Sequence, residues 1–349
     1  GIASMKTNEI KFYTKVLDLL LKYDVKNLLF MISKMSVITS SRLIEFFYFL
    51  DLNKKISPFF IKYIITKYAE IEASEEVIKA FLDRSVSTKD ILKLIQKDMH
   101  DFIKRNQNIV RTTLEVESYK QIIMAINIAL QSKNAFLESN LPISFDWNKV
   151  KWAFDLWLTE QNFNDSETKW WLFLDEGIPK ELLSDLCFDK IESDCNSKNY
   201  IGLQITDVLV VLVGKLISQL NQDTRYDFAK PNTPKLVNKG YFCLSKEQYE
   251  LFVKLNQFIL SKNRKYGFIN DTYFDDSVLL QSYIEHIASY NSYEEYTEVE
   301  ETTHSELHMR DFIQISNNKF EEALQCDFMI KSLYGTVKEA IENNMVRPL

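Results

Sequence analysis

Apolar positions recur every three or four residues along most of the chain. Over residues 8–23, Ile10, Tyr13, Val16, Leu17, Leu20 and Leu21 fall on one stripe, which predicts an amphipathic helix. The same period predicts helices over 42–50, 58–68, 74–82, 88–105 and 117–131, so 42–132 reads as a helical block with no strand signal. Pro58 stands near a helix start, where its missing N–H is tolerated. Ser74 is a plausible N-cap, and Ser87-Thr88-Lys89-Asp90 ahead of Ile91, Leu92, Leu94 and Ile95 is a better one. A further helix over 146–161 is rich in aromatics, with Trp147, Trp152, Phe154 and Trp157.

Three segments break this period. Residues 27–32 (NLLFMI) and 170–174 (WWLFL) are continuous apolar runs of strand length, suited to a sheet covered on both faces. Residues 187–193 alternate and predict a third strand. Ile178-Pro179 opens a helix over 180–186, and 194–199 is a polar loop. A very apolar helix over 203–220 carries one carboxylate, Asp207. After a loop over 230–240 the rest reads as helical, with the clearest periods over 247–260, 275–290 and 306–343. The acidic stretch from Glu294 to Glu301 reads as a solvated loop.

Composition narrows the class. Seven Gly and six Pro in 349 residues exclude collagen-like and linker-rich chains and disfavour a turn-dense β-sandwich. A net charge of −7 argues against coating nucleic acid through bulk positive charge and leaves room for a local basic groove. Cys187, Cys195, Cys243 and Cys326 form no CxxC pair and read as buried free thiols suited to a reducing cytoplasm. No basic-then-apolar leader is seen, and the most apolar stretch, 208–213, is far short of the roughly 20 residues of a membrane span. The expectation is a cytoplasmic protein without membrane attachment. Residue 1 is Gly and the first Met is Met5, so the opening reads as a tag scar or as a piece of a longer reading frame.

Candidate chemistry rests on context. Asp175 ends an apolar strand, and strand ends in α/β sheets are where ligands meet side chains on a rigid frame. Asp207, on the most apolar helix, needs a partner if it is buried. Gln204 lies three residues before Asp207 and so shares its face. Carboxylates converging from a strand end and a facing helix can hold one or two Mg²⁺ ions; an isolated Asp at a strand end is more often a turn or capping residue. Among the histidines His100, His286, His304 and His308, the last two are four apart without HExxH and read as surface residues. No Walker loop, GxSxG or GxGxxG is found. The cluster Lys262-Asn263-Arg264-Lys265-Tyr266 reads first as a charged loop and second as a guide for a nucleic-acid backbone.

Residues 171–217 resemble the domain-of-unknown-function family 3800. The matching elements are Asp175-Glu176 at a strand end, the Ser197-Lys198 turn and the helix Gly202-Leu203-Gln204-Ile205-Thr206-Asp207, with Thr206 replacing a small residue. Residues 12–34 resemble the family's helix-then-strand unit ending in Lys34. The resemblance implies a helix-rich α/β protein: an RNase H-like mixed sheet incomplete at its N-terminal edge, a large helical insertion and a helical C-terminal region. It implies core segments 1–40 and 140–222, an insertion over 41–139 and a C-terminal region over 223–349. The family's opening strand, ending in Asp-Glu-Ser-Gly, is not found, so the chain is expected to be trimmed or its site degenerate.

The implied function is Mg²⁺- or Mn²⁺-dependent nuclease activity on nucleic acid, in a mobile-element or phage-defence setting. Asp175 and Asp207 are the expected catalytic metal ligands and Glu176 a weaker one, since it points to the opposite face of a strand. Gln204 and Ser197 stand behind them as supporting polar groups, and Lys198 and Lys34 as phosphate contacts. The competing expectation is a non-catalytic interaction or scaffold protein that forms homo-oligomers through its helical regions.

Overall fold

A computed structural model describes residues 5–53, 58–109, 112–132, 136, 145–160, 169–186, 188–224, 239–260, 267–270, 275–298 and 301–325. The first half runs α1 (Thr7–Lys22), β1 (Leu29–Met31), α2 (Lys34–Arg42), α3 (Ile44–Asn53), α4 (Pro58–Ile71), α5 (Glu75–Leu82), α6 (Thr88–Asn106) and α7 (Thr113–Gln131). The second half runs α8 (Asn148–Glu160), β2 (Trp171–Asp175), β3 (Lys190–Cys195), α9 (Ile201–Thr224), α10 (Lys246–Ile259), β4 (Phe268–Asn270), α11 (Asp275–Ala288), α12 (Tyr293–Tyr296) and α13 (Glu301–Gln325). Short 3₁₀ turns lie at Lys180–Leu183, Ser197–Asn199 and Lys239–Tyr241. The protein is a helix-rich α/β chain with small sheets.

The chain divides into two compact units: Gly1–Met31 with Asp146–Arg225 and Leu236–Ser316, and Ile32–Phe145 with Tyr226–Lys235 and Asn317–Leu349. In the first unit, α1 and α11 pack on α10, and α11 packs on α9. The apolar stripe of α1 supplies Ile10, Leu17 and Leu20 to a core shared with Leu216 and Leu220 of α9 and with Phe252 and Tyr283. Lys254 pairs with Asp18 at 2.7 Å, fastening α10 to α1 at the surface. A smaller core of Leu158, Leu174, Leu183 and Leu186 joins α8 to the β2–β3 pair. The Trp157 indole N–H donates to the Asn27 carbonyl at 3.0 Å, fixing α8 to the chain entering β1.

The described strands form two parallel pairs, β1 with β4 and β2 with β3. The strand predicted over 27–32 is β1, and β2 fits the second prediction to within a residue. The third strand starts three residues and ends two residues later than predicted. Strand β4 falls where only helix is expected: Phe268 and Ile269 pair with Leu29 and Phe30. The helix predicted over 180–186 is only the 3₁₀ turn Lys180–Leu183. Such a short segment yields too few hydrogen bonds to offset helix nucleation.

The second unit contains α2–α7, and among its described residues there is no strand, as its sequence predicts. α6 packs on α7, and α4 on α2. Phe46, Ile61, Ile65, Phe81 and Ile95 are buried. Polar bonds fix the core's register: Tyr68 donates to Asp98, Tyr119 donates to Glu72, and the Thr39 and Thr66 hydroxyls meet at 3.1 Å. Buried Arg42 donates to the carbonyls of Asp83 and Val86 at 2.8 and 2.5 Å, satisfying the loop between α5 and α6.

Candidate functional site

The parallel pairing of β2 and β3 brings their C-terminal ends together, with Asp175 in register with Cys195 after a slip beyond Phe173. Each strand then turns sharply. Gly177 follows β2 at φ +84°, where a side chain would be strained. Asp194 lies in β3 at φ 54°, a conformation that Asp tolerates better than most residues. The Asn196 side chain caps the next turn, accepting from the Lys198 N–H at 3.0 Å. The Gln204 amide then reaches back from α9, donating to the carbonyls of Ser197 at 2.9 Å and Lys198 at 3.2 Å.

Beside this turn lies an open depression of about 490 Å³, lined by Lys180, Asp194, Asn196, Asn199 and Tyr200 among others. Its floor is cross-linked. Tyr200 donates to Glu192 at 2.9 Å, Lys190 pairs with the same carboxylate, and the Tyr200 ring packs on Phe173 at 5.2 Å. The hydrogen bond from Lys190, and then that from Tyr200, holds the Glu192 carboxyl below its ordinary value. The Glu192 anion in turn raises Tyr200, which stays protonated as the donor. Lys180 and Asp194 are exposed on the lining, which offers one exposed cation, one exposed anion beside the paired Glu192, and amide groups to a polar ligand.

The predicted site residues are partly gathered. Ser197, Lys198 and Gln204 meet in one turn, and Asp175 stands half-buried at the end of β2. Glu176 is exposed in the turn after it. Asp207 is solvent-exposed on α9, so the partner required of a buried carboxylate is not needed. Gln204 braces the turn before its helix instead of standing behind Asp207. Lys34 is exposed at the start of α2, in the second unit. Among the described residues, no group of three or more His, Cys, Asp and Glu is placed to hold a metal ion.

Other expectations also change. His308, expected at the surface, is buried, and Cys243 is exposed whereas Cys195 is buried. Cys187, Cys326, the 262–266 cluster and the 230–238 part of the predicted loop lie outside the described residues, as do the side chain of His304 and the end of the predicted 306–343 helix. Contrary to the expectation from 208–213, α9 is long and apolar enough to cross a membrane; Leu212, Val213, Leu216 and Leu220 are buried within the first unit, yet only 17% of its most apolar window is buried. Sequence reasoning missed Lys180, Asp194 and Tyr200. The aromatic-polar residue directly before the Gly202-Leu203-Gln204 helix was the available signal for Tyr200. Nothing local marks the other two. No protein-family model, curated protein or solved structure matches the chain.

Proposed function

We propose that the chain is a divalent-metal-dependent nuclease of RNase H-like type, acting on nucleic acid at the β2–β3 strand ends. One observation carries the reading. Asp175 ends a parallel strand pair that passes, through a braced turn, into the helix bearing Asp207. Open parallel sheets receive ligands outside their C-terminal strand ends. The donors are all oxygen, which suits Mg²⁺ or Mn²⁺. With no group of three or more ligating side chains among the described residues, an ion held by Asp175 and Asp207 would take its other positions from water and substrate phosphate, and the site is too sparse for a preassembled pair of ions. Bound there, the ion supplies Lewis-acid polarisation of the scissile phosphate. Lys198 and Lys180 act as point charges for the flanking phosphates.

The test is Mn²⁺-dependent cleavage of labelled single-stranded DNA, duplex DNA, RNA and hybrid. The expected result is cleavage by the wild type that falls about a hundredfold or more in Asp175→Asn and in Asp207→Asn, with melting unchanged. Cleavage indifferent to both substitutions, or no cleavage of any substrate, refutes the reading.

A specific observation favours a second reading, a non-catalytic interaction protein that self-associates. On α9, Ile201, Val210 and Val211 are 74%, 56% and 46% exposed. Sedimentation of the wild type beside Val210→Lys separates the two: a self-associating chain loses its oligomer in the variant, and a monomeric nuclease does not change.

A further inference from the structure

Two imidazoles are buried in the first unit, His286 of α11 and His308 of α13, only 2% and 1% exposed. His286 Nε2 lies 2.7 Å from His308 Nδ1, and His308 Nε2 lies 3.3 Å from the Tyr296 carbonyl. A carbonyl can only accept, so the network assigns the His308 proton to Nε2. Its Nδ1 is then the acceptor, and His286 donates to it from Nε2. Two neutral imidazoles thus complete a chain of hydrogen bonds running from α11 through α13 to α12.

The surroundings are aromatic. His308 stacks on Tyr296 at 4.5 Å between ring centres and on Phe242 at 5.9 Å. His286 meets Phe242 and Tyr290 edge-on. Among the described contacts of the pair, two phenols are titratable: Tyr290, whose hydroxyl is 3.4 Å from His308 Nδ1, and Tyr296; His304 lies one turn before His308 on α13. Burial raises both phenols, so they stay protonated. Beyond them, Tyr249 of α10 packs on Tyr296, Cys243 acts on Tyr296, and Asp311 of α13 and Glu295 of α12 act on Tyr290.

We propose that the His286–His308 pair is an acid-released latch that pins α13 to α11 while both rings are neutral. A first added proton places a charge among aromatic rings away from water, which is costly. A second turns both facing nitrogens into donors, N–H against N–H at a separation of 2.7 Å. In the open form both rings are ordinary histidines that protonate near pH 6.5. The open form therefore binds more protons than the closed one, and closure is favoured as pH rises. The latch is fully held above about pH 7 and weakens progressively as pH falls below about 6.5. For each extra proton taken up, the opening equilibrium rises about tenfold per pH unit.

Hydrogen exchange of the full chain between pH 7.5 and 5.0, corrected for intrinsic rates, tests this directly. Protection in α11 and in the 301–316 part of α13 should fall about tenfold or more per pH unit below 6.5, while α6 keeps its protection. In a ¹³C-histidine titration, the two buried signals should stay neutral until protection is lost. His308→Gln keeps a donor for the Tyr296 carbonyl and an acceptor for His286, and should flatten the pH response. Should that variant not fold, the wild-type titration decides alone. Buried histidines that become protonated while protection holds, or protection in α11 and α13 that is independent of pH, would overturn the latch.

Discussion

The Gln204 side-chain amide donates to two successive carbonyls, Ser197 and Lys198, although the residue itself is exposed. Removing it frees the turn that joins β3 to α9. Gln204→Ala should cost about 1 kcal/mol in urea unfolding, the ordinary worth of a neutral hydrogen bond, because water reaches the carbonyls once the amide is gone. Tyr283 is the contrasting case. Its hydroxyl donates to the Tyr241 carbonyl at 2.6 Å in the interior, where water cannot replace it. Tyr283→Phe should therefore cost about 1–3 kcal/mol by the same measurement, the penalty for a stranded acceptor. Spacing correctly placed Gln204 on the face of Asp207 but did not disclose where its amide goes. Helical side chains lean toward the N-terminus, so a first-turn residue reaches back to the preceding loop and away from the residue three positions on. The burial of His308 was illegible for another reason: the aromatic rings that enclose it come from Phe242, Tyr290 and Tyr296, and no local pattern announces them.

At the scale of elements, two serines with similar sequence signals behave differently. The Ser87 hydroxyl accepts from the Asp90 N–H at 3.2 Å and caps α6. The Ser74 side chain makes no capping bond, and its own N–H is taken by Asp98 of α6 at 2.9 Å. Ser87→Ala should lower stability by about 1 kcal/mol, and Ser74→Ala should leave it nearly unchanged, as read from paired denaturation curves. A cap signal is local, whereas the bond that ties down Ser74 comes from a carboxylate 24 residues away. Strands divide in the same way. β2 was legible as a strand because five successive apolar residues announce one, but the expected cover on both faces is not found: Trp171 is exposed and only Leu174 is buried. β4 was not, because three residues show no period, and its identity as a strand depends on β1, more than 200 residues upstream.

The whole molecule joins two kinds of chain economy. Helices α2–α7 form one contiguous stretch that contributes its own buried side chains, among them Phe46, Ile65, Phe81 and Ile95. That stretch was legible as a helical block because each helix carries its own apolar stripe and neighbouring helices pack together. The first unit is assembled from three separated stretches, and no one of them holds its core. Ile10, Leu17 and Leu20 of α1 complete the cluster formed by α9, α10 and α11, and β1 supplies the only described partner of β4. Fragments should separate the two cases. Residues 32–145, at a length that can bury a core of its own, should give a helical circular-dichroism spectrum and a cooperative melt. Residues 146–316 without 1–31 expose the α1-facing surface of that cluster and leave β4 unpaired. They should melt without cooperativity, and adding back residues 1–31 as a peptide should restore the transition. A sharp melt of 146–316 alone would show that the first unit's core does not depend on α1 and β1.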